Sequence, residues 1–424
     1  MTKEDIVKAA FKVWGRELYR TTSLSKLARE LGVSKPALYR HFRDKDALLE
    51  AMDMAFFDDC AAFLMDPFEK ALSVAGKPES AFIMMRAIAE YYMRNKEAFV
   101  FSLIRLHSRR EKEKRDKMGS DLQDRGIDLQ RLGRMERDRA IYPSKIQMSI
   151  TTLIFYLANF HHQEFKNDVG PSDELVKETL VRIEGRILKG LGLNAERVDA
   201  LDYEGLEKKA STTEYEDSKD DALLKAVAEA VAEAGPWDAS MEMVAKKSGL
   251  SKSGLYAHFK NRQDMMGRFF ITEFSRIVNF ARVQVEMSEA PEEQLYLAIV
   301  SIVNYLRSRP EIFGAIDWIK TRHLELGKEA SGRLYRIIVN IKLEAIQKYD
   351  KNVLLHVAQW ILFLIVNTLA LWPSMEAGAT SHRDSSLAKP GINKNWAKNI
   401  AEIPNESFRV LFRFIALGLE GLNT

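Results

Sequence analysis

The sequence predicts an all-α protein built by tandem duplication, each half a small three-helix head followed by a helical bundle. Three observations predict it. The pattern "GVSKPALYRHF" at 32–42 returns as "GLSKSGLYAHF" at 249–259, displaced by 217 positions. Apolar residues recur at helical spacing along most of the 424 residues, while β-branched runs bounded by hairpin turns are few. Hydrophobic residues at 46% and charged residues at 29% describe a chain that can bury a sizeable core, and argue against disorder or a wholly membrane-embedded chain.

The repeat extends well beyond its eleven residues. In the 217-residue register Ser23 falls on Ser240, Ala28 on Ala245, Gly32 on Gly249 and His41–Phe42 on His258–Phe259. Substitutions between these identities keep their character, as in Leu27/Val244, Val33/Leu250, Arg43/Lys260 and Lys45/Arg262. Farther on, "KEAFVFSLIRLHSR" (96–109) resembles "PEIFGAIDWIKTRH" (310–323), and "MSITTLIFYLANF" (148–160) has its counterpart in the apolar stretch 353–372. The halves close on "RIEGRILKGLGLN" and "RVLFRFIALGLEGLN". Such correspondence is the mark of an internal repeat.

Each element has a local reason. In "EDIVKAAFKVWGREL", Ile6, Ala9, Ala10, Val13 and Trp14 line one helical face. Ser23 caps the next helix, which buries Leu24, Leu27, Ala28 and Leu31. Gly32 supplies a left-handed end, Ser34 caps a short further helix, and Pro36 is tolerated in its first turn. Leu38 and Phe42, four apart, face inward. The charged run 107–139 reads as a solvated helical pair with internal ion pairs. Helices at 146–165 and 173–191 close the first half, a polar acidic seam follows, and helices at 355–372 and 407–421 close the second. The stretch 373–404 reads as a long loop with no match in the first half.

The remaining composition narrows the function classes. A net charge of +3 does not demand a polyanionic partner, so the placement of charge matters more than its sum. Cys60 is the single cysteine, which excludes an internal disulfide, disfavours a thiolate zinc cluster and fits a cytoplasmic protein. The segment 353–372 has the length of a membrane span, yet His356, Gln359, Asn367 and Thr368 interrupt it. A buried or subunit-facing helix is expected there, with no membrane partner. No glycine-rich phosphate loop, zinc spacing or nucleophile elbow is present, so no enzyme, cofactor or metal is expected.

Helix, tight turn and short cationic helix form a helix-turn-helix, a shape that enters the major groove of DNA. Ala37 and Pro36 keep the outer face of the first copy narrow. Lys35 sits near the helix start, Arg40 offers a forked donor to guanine or phosphate, and Tyr39 and His41 carry polar tips beside the groove. Lys26, Arg29, Arg43 and Lys45 surround this face. In the second copy Ser253 replaces Pro36, Gly254 replaces Ala37 and Ala257 replaces Arg40. The first fifty residues hold eleven Lys/Arg against seven Asp/Glu, whereas 218–268 hold eight against seven. The second head is therefore expected to bind phosphate more weakly.

"TTSLSKLARELGVSKPALYRHFRDKDALLEAM" (21–52) and "DASMEMVAKKSGLSKSGLYAHFKNRQDMMGRF" (238–269) each resemble the N-terminal domain of the TetR family of bacterial transcriptional regulators. The resemblance implies a DNA-binding head at 1–50, a helical ligand-binding and dimerisation body at 51–194, a linker at 195–217, a second head at 218–267 and a second body at 268–424. It implies DNA-facing positions Ser34, Lys35, Ala37, Tyr39, Arg40 and His41, flanked by Lys26 and Lys45. The matching positions are Ser251, Lys252, Gly254, Tyr256, Ala257 and His258, with Arg262 alongside. It further implies double-stranded operator DNA as partner and a repressor released by a small effector. Phe82, Met85, Phe99, Tyr156, Phe313, Trp318 and Trp360 are candidates to line an apolar or aromatic effector pocket, though each also suits plain packing. Family members carry one head per chain. Two heads here point to pairing of the halves within one chain, with a four-headed homodimer as the rival arrangement. A helical protein-interaction scaffold that has lost DNA binding is the alternative function.

Overall fold

The computed structural model describes residues 2–16, 24–75, 78–107, 120–134, 142–163, 170–211, 221–234, 239–309, 343–380 and 403–422. These residues form helices with turns between them. The first head comprises α1 (Lys3–Arg16), α2 (Leu24–Glu30) and α3 (Lys35–Tyr39). Beyond it run α4 (Lys45–Ser73), α5 (Pro78–Arg94), α6 (Lys96–His107), α7 (Leu129–Arg134), α8 (Tyr142–Gln163) and α9 (Asp173–Lys189). Two short helices follow, α10 (Ala195–Asp199) and α11 (Tyr203–Ser211). The second head comprises α12 (Asp221–Ala234), α13 (Met241–Ser248) and α14 (Lys252–His258). The second body holds α15 (Arg262–Val285), α16 (Pro291–Ser308), α17 (Glu344–Gln347), α18 (Lys351–Thr380) and α19 (Asn405–Leu417).

The chain divides into two units that do not coincide with the repeats. One comprises 1–142 and 156–184, the other 143–155 and 185–424. In the first unit Phe56, Phe57, Tyr91 and Phe101 form a buried aromatic core. Phe11 of α1 meets Phe101 edge-on at 4.9 Å, tying the head to the body beneath it. The Tyr91 hydroxyl donates to Asp59 at 2.9 Å. His161 packs against Phe99 and lies 2.8 Å through Nε2 from the Tyr92 carbonyl. Burial pulls its pKa down to about 4, so the ring is neutral at pH 7 and Nε2 carries the proton.

The second unit contains the meeting of the two repeats. The Trp360 indole Nε1 donates to Thr152 Oγ1 at 3.0 Å, with both residues fully buried. Phe155 and Phe363, displaced by the same 208 positions, lie with ring centroids 5.6 Å apart. The ends of α9 and α19 bond reciprocally: Leu191 N–H donates to the Ile415 carbonyl at 2.8 Å, and Leu419 N–H to the Ile187 carbonyl at 2.9 Å. This backbone crossing leaves no room for a side chain. A Cβ on Gly190 would meet Ile415 O at 2.5 Å, and one on Gly418 would meet Leu188 C at 2.3 Å.

Helices α4 and α15 run unbroken across residues 50 and 267. Two expectations are corrected. Residues 195–211 of the expected linker contain two packed helices, because Val198, Leu206 and Ala210 are buried and Glu207 is clamped. Arg409 grips Glu207 through Nε at 2.8 Å and Nη2 at 3.1 Å, Tyr296 donates at 2.5 Å and Asn405 at 3.1 Å. The expected loop at 373–404 begins as helix, since α18 continues to Thr380; positions 381–402 lie outside the described residues.

The apolar stretch 353–372 falls within α18, the one helix among the described residues long and apolar enough to cross a membrane. Trp360, Ile361, Leu364 and Ile365 on it are buried within the second unit, as in a core helix. Of the charged run 107–139, α7 is helical, and 108–119 and 135–139 lie outside the described residues.

Candidate nucleic-acid interface

Each head is a helical hairpin fixed by the same devices. In the first, Gly32 turns through a left-handed φ of 65° while Val33 N–H returns to the Ala28 carbonyl at 2.9 Å. Ser34 Oγ then accepts from Ala37 N–H at 3.3 Å and starts α3, with Pro36 in its first turn. Leu38 and Phe42 are buried in the core that also holds Leu27 and Ala28, so Lys35, Tyr39, Arg40 and His41 are left exposed. Asp44 caps α4 by accepting from Ala47 N–H at 2.7 Å. A cap, a glycine turn and two inward apolar residues thus decide which side chains of a five-residue helix face outward.

The second head repeats this geometry. Gly249 has φ 70°, Leu250 N–H reaches the Ala245 carbonyl at 3.0 Å, and Ser251 Oγ accepts from Gly254 N–H at 3.0 Å. Leu255 and Phe259 are buried, and Lys252, Tyr256, Ala257 and His258 are exposed. Asn261 caps α15 where Asp44 caps α4.

The charges differ more than the backbones. Lys35 Nζ lies 5.7 Å from the Tyr39 ring centroid, and no carboxylate among the described residues pairs with it. Lys252 instead makes an ion pair with Glu242 of α13, both groups well exposed to solvent. Glu242 holds the lysine's pKa up, and Lys252 holds the glutamate's down. The first repeat has Ser25 at the position of Glu242. Arg262 turns partly inward, its Nε donating to the Ala239 carbonyl at 2.7 Å. Its counterpart Lys45 is half-buried, and burial lowers its pKa. Lys26, Ala37 and Gly254 are half-buried at the edges of the two faces.

Glu242 was not among the sequence-derived sites. The signal was the Ser25/Glu242 difference, ten residues before the motif lysine in the second repeat, across a turn that folds the two positions together.

The seven candidate effector residues do not share one environment. Phe82, Met85 and Tyr156 are half-buried and Phe99 is buried, all in the first unit. Trp360 is fully buried in the second unit, hydrogen-bonded to Thr152, beneath the Arg186 guanidinium and beside Phe414. Phe313 and Trp318 lie outside the described residues.

Comparison with known proteins locates the resemblance on the two hairpins. The model of the bacterial regulatory proteins of the tetR family matches at residues 6–52 and again at 223–268. An uncharacterized HTH-type transcriptional regulator of Mycobacterium tuberculosis, Rv1255c, is 22% identical over 151 residues, spanning 35% of this chain and 73% of the relative. The uncharacterized HTH-type transcriptional regulator YerO of Bacillus subtilis is 38% identical over 47 residues, 11% of this chain and 16% of the relative. Among solved structures, the fatty acid degradation regulator FadR of Bacillus halodurans is 16% identical, with 47% of this chain and 97% of that one covered at a TM-score of 0.33. The TetR family transcriptional regulator PfmR of Thermus thermophilus is 26% identical, with 42% and 95% covered at a TM-score of 0.30. The two head matches fall on the capped hairpins with their exposed cationic second helices: residues 6–52 and 223–268 are two regions similar to the DNA-binding domain of the bacterial tetR family, carried in one chain.

Proposed function

We propose that this chain acts in the cytoplasm as a covalent pseudo-dimer, a repressor that holds operator DNA with both heads and releases it when a small apolar or aromatic effector enters a body. The observation that carries the reading is the exposed face of α3, with Lys35, Tyr39, Arg40 and His41 standing on a buried Leu38–Phe42 footing. Lys35 and His41 meet phosphate, Tyr39 steadies the backbone contact, and Arg40 reaches a guanine edge or phosphate. Lys252, Tyr256 and His258 serve the second head. Phe82, Met85, Phe99, Tyr156 and Trp360 are the effector candidates within the described residues.

One short helix buries little surface on a duplex, so useful affinity calls for two heads about one helical turn, or a multiple, apart. Pairing inside one chain is supported by the reciprocal bonds 191 to 415 and 419 to 187. In a two-fold interface residue i meets j while j meets i, and residues on the axis meet their own copies. Here Ile187 corresponds to Ile415 and Leu191 to Leu419, so the two bonds are one contact made in both directions. Thr152–Trp360 and Phe155–Phe363 behave as axis pairs. Covalent linkage also raises the effective concentration of the second head.

Selecting bound sequences from a random duplex pool, then weighing the complex, tests this. One 48.5 kDa chain per duplex is expected. Two chains per duplex would replace intrachain pairing with a four-headed homodimer. Absence of any salt-sensitive duplex preference would end the DNA-binding reading.

A further inference from the structure

The proposed DNA reading treats both heads as readers, but their exposed cations are not equivalent. The first head's motif lysine rests on an aromatic ring and has no acid against it among the described residues. The second head's motif lysine is already held by a carboxylate from the preceding helix. A phosphate approaching Lys252 must displace Glu242, and the exposed glutamate also repels that phosphate directly. One further change points the same way: Ala257 stands where the first head has the exposed Arg40. Tyr256, at 47% exposure against 43% for Tyr39, keeps its place, so the scaffold is intact while its charge is muted.

We infer that Glu242 is a specificity-determining residue that attenuates the second head by occupying Lys252 in place of a DNA phosphate. The inference rests on the DNA-binding reading above. Glu242 makes the second head conditional on the first: docking of the first head brings the second to the duplex, where a high local phosphate concentration competes the carboxylate away. The chain therefore favours DNA that engages the first head and leaves weak the binding that the second head would otherwise make alone.

The test uses the full chain and a random-sequence duplex of about 30 base pairs, long enough for half-sites one or two helical turns apart, with binding followed by fluorescence anisotropy across a salt series. Variants are Glu242→Ser, the residue of the first head, and the near-isosteric Glu242→Gln. Each is made alone and together with Lys35→Ala/Arg40→Ala, which silences the first head. Freeing one phosphate contact steepens the log-log salt slope by about 0.9. Both Glu242 variants are expected to do so and to raise affinity several-fold, most clearly with the first head silenced. Adding Lys252→Ala is expected to cancel the gain. Unchanged affinity and slope in both Glu242 variants, while Lys35→Ala still weakens binding, would overturn the role of Glu242 and leave the DNA reading standing. Failure of the unmodified chain and every variant to bind duplex in a salt-dependent way would remove both.

Discussion

Beneath the heads, each repeat sets a tyrosine against a carboxylate, but the two carboxylates stand one helical turn apart in the repeat. In the first, Tyr91 donates to Asp59 at the exposed edge of α4, and the buried position three residues earlier is Phe56. In the second, the tyrosine in that role is Tyr305, and the 217-residue register puts Glu273 at the Phe56 position and Arg276 at that of Asp59. Glu273 is fully buried and accepts from Tyr305 at 2.8 Å and Arg276 at 2.8 Å, with Arg309 at 3.4 Å. Moving the acid inward by one turn converts an aromatic core with a polar rim into a core organised around charge. The first arrangement tolerates loss of its carboxylate. The second does not, because removal strands buried donors.

The largest expected effect separates these two acids. Glu273→Ala should cost about 3–5 kcal/mol of unfolding free energy in urea, as for breaking a buried ion pair, and Asp59→Ala only about 1 kcal/mol. Equal losses would break the comparison. Next come the glycines where the repeats cross. Gly418→Ala and Gly190→Ala should each cost about 3 kcal/mol, since both sites combine positive φ with a backbone closer than a Cβ allows. A much larger loss at one would show that the crossing is less symmetric than its reciprocal bonds. For the heads, Arg40→Ala should weaken binding to the selected duplex by about 1–3 kcal/mol, and Ala257→Arg should strengthen it. No gain from the added arginine would mean that α14 meets DNA on a different face from α3.

The smallest effect concerns the sign of pH dependence. Burial raises the pKa of Glu273, and Arg309, Tyr305 and Arg276 offset it only in part. Between its ordinary and raised values the folded state keeps a proton that the unfolded chain has lost, so stability falls as pH rises through that window. Burial also acts upward on Glu207, but its bonds from Arg409, Tyr296 and Asn405 outweigh that and hold its pKa below the ordinary value. Its contribution is present above the unfolded value and is lost as pH falls through the folded one. Urea unfolding at a series of pH values should find Glu207→Gln flattening the acid-side loss and Glu273→Gln flattening the opposite slope. A shared sign would refute the assignment of the two environments.

The heads were legible residue by residue because their devices are local. A cap, a positive-φ glycine and apolar residues four apart act within a dozen positions, and the repeat shows each of them twice. Glu242 was visible as a residue but not as a partner, since its meeting with Lys252 depends on how two helices cross. The clamp on Glu207 was hidden for a stronger reason. Its donors Tyr296, Asn405 and Arg409 come from 89 to 202 residues away, and an acidic segment whose ligands are that remote reads as solvated linker. The bond from Trp360 to Thr152 was hidden in the same way, its partner lying 208 residues earlier in the chain.

The amino-acid order alone determined that this chain is helical, doubled, and equipped with two capped hairpins, because helix periodicity and capping are short-range and survive any arrangement of the rest. Only the tertiary structure decided which charges remain available and which are consumed: Lys35 beside a ring, Lys252 on Glu242, Arg262 turned to a carbonyl, Glu273 sealed among arginines. Coulomb energy falls with distance and depends on burial, and neither quantity exists until helices far apart along the chain have packed together.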